Sequence, residues 1–145
     1  MRIVPAVELG VEQLELFFED KWEQLDGKQT LLEYGYVIEF QGKNQAFFAL
    51  SPVAEQSYWL KRLYIKDKAP TSLPLAIIEA AITLAQEKYG DHIYVYSHIT
   101  ALDALLEALQ FSKLKTSPFD VDVSIENGNW WNKPLAKRYQ INGLK

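Results

Sequence analysis

The stretch from Tyr58 to Phe111 restricts the possible folds of this chain more than any other. Tyr58 to Ile65 has the aromatic and branched make-up of a strand, a loop with two prolines follows, and Leu73 to Tyr89 reads as a long apolar helix. The polar side chains of that helix, Glu79, Thr83, Gln86 and Glu87, fall in one narrow stripe, so most of its circumference is buried. His92 to Ser97 is a compact aromatic strand, and Thr100 to Leu109 is a second helix with Leu102, Leu105, Leu106 and Leu109 as its apolar face. A strand, a crossover helix and a parallel strand form a βαβ unit, whose ligands gather where the first strand hands over to its helix. Chemistry is therefore expected between Ile65 and Leu75.

The rest of the chain must supply partners for this unit. Arg2 to Ala6 is a short apolar segment suited to a sheet edge, because Pro5 cannot donate to a ladder. Val11, Leu14, Phe17, Phe18, Trp22 and Leu25 recur at helical spacing with Glu12, Glu15, Glu19 and Glu23 opposite, which predicts an amphipathic helix closed by Gly27 as a left-handed cap. Leu32 to Gln41 and Gln45 to Val53 are predicted strands, joined as a hairpin through Gln41-Gly42-Lys43-Asn44. Tyr58 to Ile65 extends that meander, with Trp59, Lys61, Leu63 and Ile65 sharing one face. Thr71 or Ser72 is expected to cap the long helix, Pro74 fits its first turn, and Gly90 closes it. Thr100 is the expected cap of the second helix, with Asp103 completing a capping box. Beyond it, Phe111 to Leu114, Phe119 to Ile125 and Ala136 to Ile141 are the expected strands, separated by turns at Pro118 and Asn127-Gly128-Asn129.

Composition removes several classes of function. With 145 residues and no internal repeat or linker, the chain is expected to form one domain over residues 1–145. The absence of cysteine excludes thiolate nucleophiles, disulfides and zinc sites of the usual kind, and His92 and His98 lack the close helical spacing of a hydrolytic metal site. Fifteen basic residues against 19 acidic ones leave a net charge of −4, and no basic tract offers a nucleic-acid footprint. No apolar run reaches membrane-spanning length and the first residues lack a signal-peptide core, so a cytoplasmic protein without membrane or nucleic-acid partners is expected.

Two segments carry a resemblance to a known family: Leu63-Tyr64-Ile65, and Ala104-Leu105-Leu106-Glu107-Ala108-Leu109-Gln110-Phe111. In the predicted order β-α-β-β-β-α-β-α-β-β, the chain resembles the Gcn5-related N-acetyltransferase superfamily over nearly its whole length. There a strand ending in Leu-Tyr-Val-like residues enters an Arg/Gln-x-x-Gly-x-Gly/Ala loop, and the last helix ends Leu-Tyr-Glu-Lys-x-Gly-Phe. The resemblance implies an α+β fold: a central, mostly antiparallel twisted sheet of about six or seven strands flanked by helices, with the parallel βαβ unit at residues 58–97. It also implies acetyl-coenzyme A as cofactor and a small-molecule or peptide amine as acceptor. Backbone groups of Leu63 and Ile65 would pair with the pantetheine, and the available N–H groups of the loop from Pro70 to Leu75, where Pro70, Thr71, Ser72, Leu73 and Leu75 occupy the motif, would hold the pyrophosphate.

The chain departs from that pattern at positions that matter. The loop glycines fall on Thr71, Leu73 and Leu75, the basic first position falls on Pro70, and Pro74 deletes one N–H from the cradle. The tyrosine used in the family as general acid falls on Leu106, and the glycine before the terminal phenylalanine is Gln110. Acid or base groups must then come from elsewhere. Glu39 is a candidate base, against the alternative of a solvent-facing strand residue; His98 is a candidate because histidine is the usual acid–base side chain, against a simple loop position; Tyr96 could protonate a thiolate, against plain core packing. Trp130-Trp131 could line an acceptor cleft or belong to a satellite core. Three functions fit these residues: an acyl-coenzyme A-dependent N-acyltransferase, a non-catalytic binding or regulatory module of the same fold, and a structural subunit forming a homodimer through its tryptophans and an exposed strand edge.

Overall fold

In the computed structural model, which describes residues 1–54, 56–119 and 127–136, the elements run β1 (Arg2–Pro5), α1 (Ala6–Leu9), α2 (Val11–Phe18), a 3₁₀ helix (Glu19–Gln24), α3 (Lys28–Tyr34), β2 (Gly35–Phe40), β3 (Lys43–Pro52) and β4 (Ser57–Ile65). They continue α4 (Leu73–Glu87), β5 (His92–Ser97), α5 (Thr100–Ala108), β6 (Ser112–Leu114) and β7 (Asn129–Pro134). Seven strands form one mixed sheet in the order β1-β2-β3-β4-β5-β7-β6. The β4–β5 pair is parallel, and the pairs β1–β2, β2–β3, β5–β7 and β6–β7 are antiparallel. The fold is thus α+β with the expected parallel unit, and Pro5 sits on the edge strand as its missing N–H requires. No helix among the described residues is long and apolar enough to cross a membrane.

The chain gathers into two compact units, one of residues 1–51 and 61–77, the other of 52–60 and 78–145, so that β4 and α4 each contribute to both. In the first unit Leu14, Phe17 and Phe18 of α2 bury against Trp22, Leu31 of α3, and Val37, Phe47 and Ala49 of β2 and β3. Phe18 is the hub, meeting Phe17, Phe47 and Tyr64 edge-on at 4.9, 5.2 and 5.1 Å. Each such ring, fully buried, contributes about 1.5–3 kcal/mol. The helix predicted from Val11 onward stops earlier than its periodicity implies. Glu19 turns to φ 56 and ψ −130, and a 3₁₀ segment then carries Trp22 back into the core. Gly27 is left-handed at φ 65, but it opens α3 rather than closing the preceding helix. The start of the strand predicted from Leu32 is also corrected: α3 holds Leu31 and Leu32 against the cluster, and β2 begins at Gly35. The β2–β3 hairpin turns through Gln41 and Gly42, at φ 56 and 76, the pair of left-handed residues that matches strand twist.

In the second unit β5 pairs with β4 on one side and β7 on the other, and its residues alternate: Ile93, Val95 and Ser97 are buried, while His92, Tyr94 and Tyr96 are half-buried. Trp131 Nε1 donates to Asp103 Oδ1 of α5 at 2.7 Å, and Lys133 Nζ donates to the Leu109 carbonyl at 3.0 Å. The capping box predicted at Thr100 is not made, because α5 starts after Ile99 without a side-chain cap and Asp103 serves Trp131 instead. Both helices end in six-to-one closures. Tyr89 at φ 60 lets Gly90 N–H reach the Ala85 carbonyl at 2.8 Å, and Gln110 at φ 68 lets Phe111 N–H reach the Leu106 carbonyl at 3.0 Å. The last strand among the described residues, β7, covers Asn129–Pro134, where the sequence shows only a turn signal and two tryptophans. Phe119 and Ala136 lie outside strands; the remainder of the two strands predicted at Phe119 to Ile125 and Ala136 to Ile141 lies outside the described residues.

Candidate functional site

Strand β4 carries the local geometry on which a site depends. Its parallel ladder runs from Ser57↔His92 to Leu60↔Val95, yet the strand itself continues to Ile65. Just past the end of that ladder Arg62 takes φ 59, a left-handed backbone that costs an L residue about 1–2 kcal/mol. Its guanidinium donates to the Asp26 carbonyl at 3.1 Å, which holds the irregularity in place. The simple alternation predicted for this strand therefore fails: Leu60 is buried, and every residue from Lys61 to Lys66 is half-buried. Lys66 N–H still donates to the Gln45 carbonyl at 2.9 Å, so the end of β4 remains anchored.

The segment that follows is a pair of tight turns, Ala69 N–H to the Lys66 carbonyl at 3.1 Å and Leu73 N–H to the Pro70 carbonyl at 3.0 Å. Leu73 is 2 % exposed and anchors the first turn of α4 in the interior, whereas Leu75 is 39 % exposed. Thr71 and Ser72 are exposed, and neither hydroxyl makes a hydrogen bond among the described residues, so the predicted side-chain cap is not formed. The amides of Thr71, Ser72 and Leu75 likewise have no hydrogen-bond partner there, as befits the first turn of a helix. The residues at the motif's glycine positions thus divide: Leu73 turns its side chain inward, while Thr71 and Leu75 remain at the surface.

A cleft of about 200 Å³ opens beside the end of β4, lined by Phe17, Glu19, Lys21, Tyr64, Lys66 and Asp67 among others. Lys66 Nζ crosses it, donating to the Phe17 carbonyl and to Glu19 Oε2, the latter at 2.9 Å, with its charge 4.6 Å from the Phe17 ring centre. The hydrogen bond from Lys66, and then its charge, hold the Glu19 carboxyl below its ordinary range. Burial, and then the neighbouring charge of Arg62, push the Lys61 ammonium below its usual value. Neither the left-handed Arg62 nor the strained Glu19 is visible in the sequence, because both sit inside regular hydrophobic patterns.

The three candidate catalytic side chains are differently placed. Glu39 lies on β2 and pairs with Arg2 of β1 at 3.0 Å, in the first unit with the loop. Tyr96 and His98 belong to the second unit. The Tyr96 hydroxyl accepts from Gly128 N–H at 2.9 Å, while His98 is exposed between β5 and α5. Leu106, where the family pattern has its tyrosine, is fully buried.

No protein-family model matches this sequence, and no curated protein matches it. Solved structures do. An N-acetylglutamate synthase from Neisseria gonorrhoeae, solved with coenzyme A and N-acetyl-glutamate, superposes with a TM-score of 0.70 at 14 % identity over 94 % of this chain. The match spans about a third of the synthase, 35 % of that chain. A GNAT-family acetyltransferase from Staphylococcus aureus matches at TM-score 0.65 and 13 % identity, over 93 % of this chain and 99 % of its own. Another, from Elizabethkingia anophelis with acetyl-CoA bound, matches at 0.61 and 13 % identity, over 74 % of this chain and 80 % of its own. Together with the strand order and the parallel β4–β5 pair, these likenesses show that the chain has the fold of the Gcn5-related N-acetyltransferases.

Proposed function

We propose that the chain is an acetyl-coenzyme A-dependent N-acyltransferase acting on an amine. The observation that carries this reading is the join between β4 and α4: a strand that outruns its parallel partner, then a turn whose Thr71, Ser72 and Leu75 amides have no partner among the described residues, at the positive end of a 15-residue helix. The hydroxyls of Thr71 and Ser72 add donors that the usual glycines lack, and compensate for the N–H missing at Pro74. Pro70 and the buried Leu73 fix the turn, and the main-chain groups of Leu63 and Ile65 are the pantetheine partners. Two of the similar solved structures hold coenzyme A or acetyl-CoA, which supports the same cofactor.

The chemistry asks little of side chains. The acceptor nitrogen attacks the thioester carbonyl carbon, the carbon–sulfur bond breaks, and the proton lost by nitrogen ends on the departing thiolate. Holding amine and thioester in line supplies most of the acceleration. Tyr96 is the proposed acid, its hydroxyl oxygen positioned by the Gly128 N–H. His98 and Glu39 are the alternative proton carriers. A second reading, a non-catalytic module with this fold, draws support from the buried Leu106, which puts no proton donor on α5 at the family's position.

Replacing Ser72 or Thr71 by Glu sets a carboxylate against the pyrophosphate. Calorimetry is expected to show acetyl-coenzyme A affinity falling at least about tenfold. Unchanged affinity in both variants would place the ligand elsewhere.

A further inference from the structure

One face of the second unit is floored with rings. Register sets Trp59 of β4 beside Tyr94 of β5, and Tyr96 beside Trp130 of β7, all on the same side of the sheet. Phe119 is seated on this floor, 5.0 Å from Trp130, 5.5 Å from Tyr94 and 5.6 Å from Trp59, and it meets the first two edge to face. Trp59 and Trp130 also touch, at 5.2 Å, and Trp130 meets Tyr96 at 5.1 Å.

Two observations distinguish this cluster from an ordinary core. Trp59, Tyr94, Tyr96 and Phe119 are only half-buried, unlike the fully buried rings of an ordinary core. Asn132, the register partner of Tyr94 and therefore beside it on the same face, holds its Oδ1 buried with no hydrogen-bond partner among the described residues. A buried amide oxygen without a donor calls for an explanation, and a ligand N–H is one. Electron-rich ring faces, moreover, attract a cation.

We propose that this face binds a small arylalkyl ammonium compound, its ring taking the place of Phe119 against Trp59, Tyr94 and Trp130 and its ammonium donating to Asn132 Oδ1. Phe119 shows that a six-membered ring fits edge-on against these faces. The Ser117 hydroxyl donates to the Phe119 carbonyl at 2.6 Å, a local turn contact that does not involve the ring. Trimming the Phe119 side chain removes the ring that lies on the floor and leaves this local contact unchanged. Under the acyltransferase reading the compound is the acceptor amine; that role rests on the reading, whereas the binding does not.

The test is an equilibrium titration with 2-phenylethylamine, without cofactor, read by tryptophan fluorescence on the native chain, Phe119→Ala and Asn132→Leu. Phe119→Leu serves as the second variant should the alanine form not fold. Vacating the floor removes a competing ring, so affinity is expected to rise about tenfold in the Phe119 variant. In Asn132→Leu it is expected to fall about tenfold through loss of the acceptor. Phenylacetate, with the same ring and the opposite charge, is expected not to bind. The proposal is overturned by absence of saturable binding in a folded Phe119 variant, by equal binding of phenylacetate, or by undiminished affinity in Asn132→Leu. Acetyl-coenzyme A affinity is measured separately: amine binding without cofactor binding keeps this site and removes only its role in acyl transfer.

Discussion

Gln110 adopts the φ of 68 that closes α5, a conformation glycine takes freely and other residues reach only at a cost of about 1–2 kcal/mol. Gln110→Gly is therefore expected to raise stability by about 0.5–1 kcal/mol in urea unfolding, and a loss would contradict the backbone assigned there. From the sequence, glutamine at this position looks like a departure from the family pattern, yet the chain keeps the turn and tolerates the strain. Glu19 and Lys66 give a second residue-scale expectation. A carboxyl whose folded pKa lies below its ordinary 4.5 stabilises the fold above that pH, and the contribution is lost as pH falls through the lowered value. The stability difference between the native chain and Lys66→Met should thus be full at neutral pH and shrink below pH 4.5. A difference independent of pH would mean that the Glu19 contact contributes nothing.

Among the elements, α4, β5 and α5 were legible because each has one strong period, although the side-chain caps expected for both helices are not formed. β7 was hidden for a physical reason. Trp130 and Trp131 are both buried although they point to opposite faces, so the strand shows no alternation of apolar and polar residues. The loop residues Thr71, Ser72, Leu73 and Leu75 could be placed from the sequence, but whether their side chains point inward or outward depends on the turn itself. The start of β7 also depends on the close approach at Gly128. A Cβ there would lie 2.7 Å from the Tyr96 hydroxyl oxygen, so Gly128→Ala is expected to cost about 1–3 kcal/mol. Because the same amide holds Tyr96, a retained Gly128–Tyr96 hydrogen bond at unchanged stability would contradict this geometry.

At the scale of the whole molecule, β4 and α4 each supply residues to both compact units, which ties the two through continuous secondary structure. Denaturation is expected to be a single cooperative transition, with tryptophan fluorescence and far-UV circular dichroism sharing one midpoint. Two separated midpoints would show units that unfold independently. The fold was readable because it rests on order and burial, whereas the reaction depends on a few donors at the head of α4. Calorimetric titration of the unmodified chain with acetyl-coenzyme A tests those donors most directly. A single site with a dissociation constant of about 1 μM or tighter is the expected result; absence of binding up to about 1 mM cofactor would contradict the proposed function.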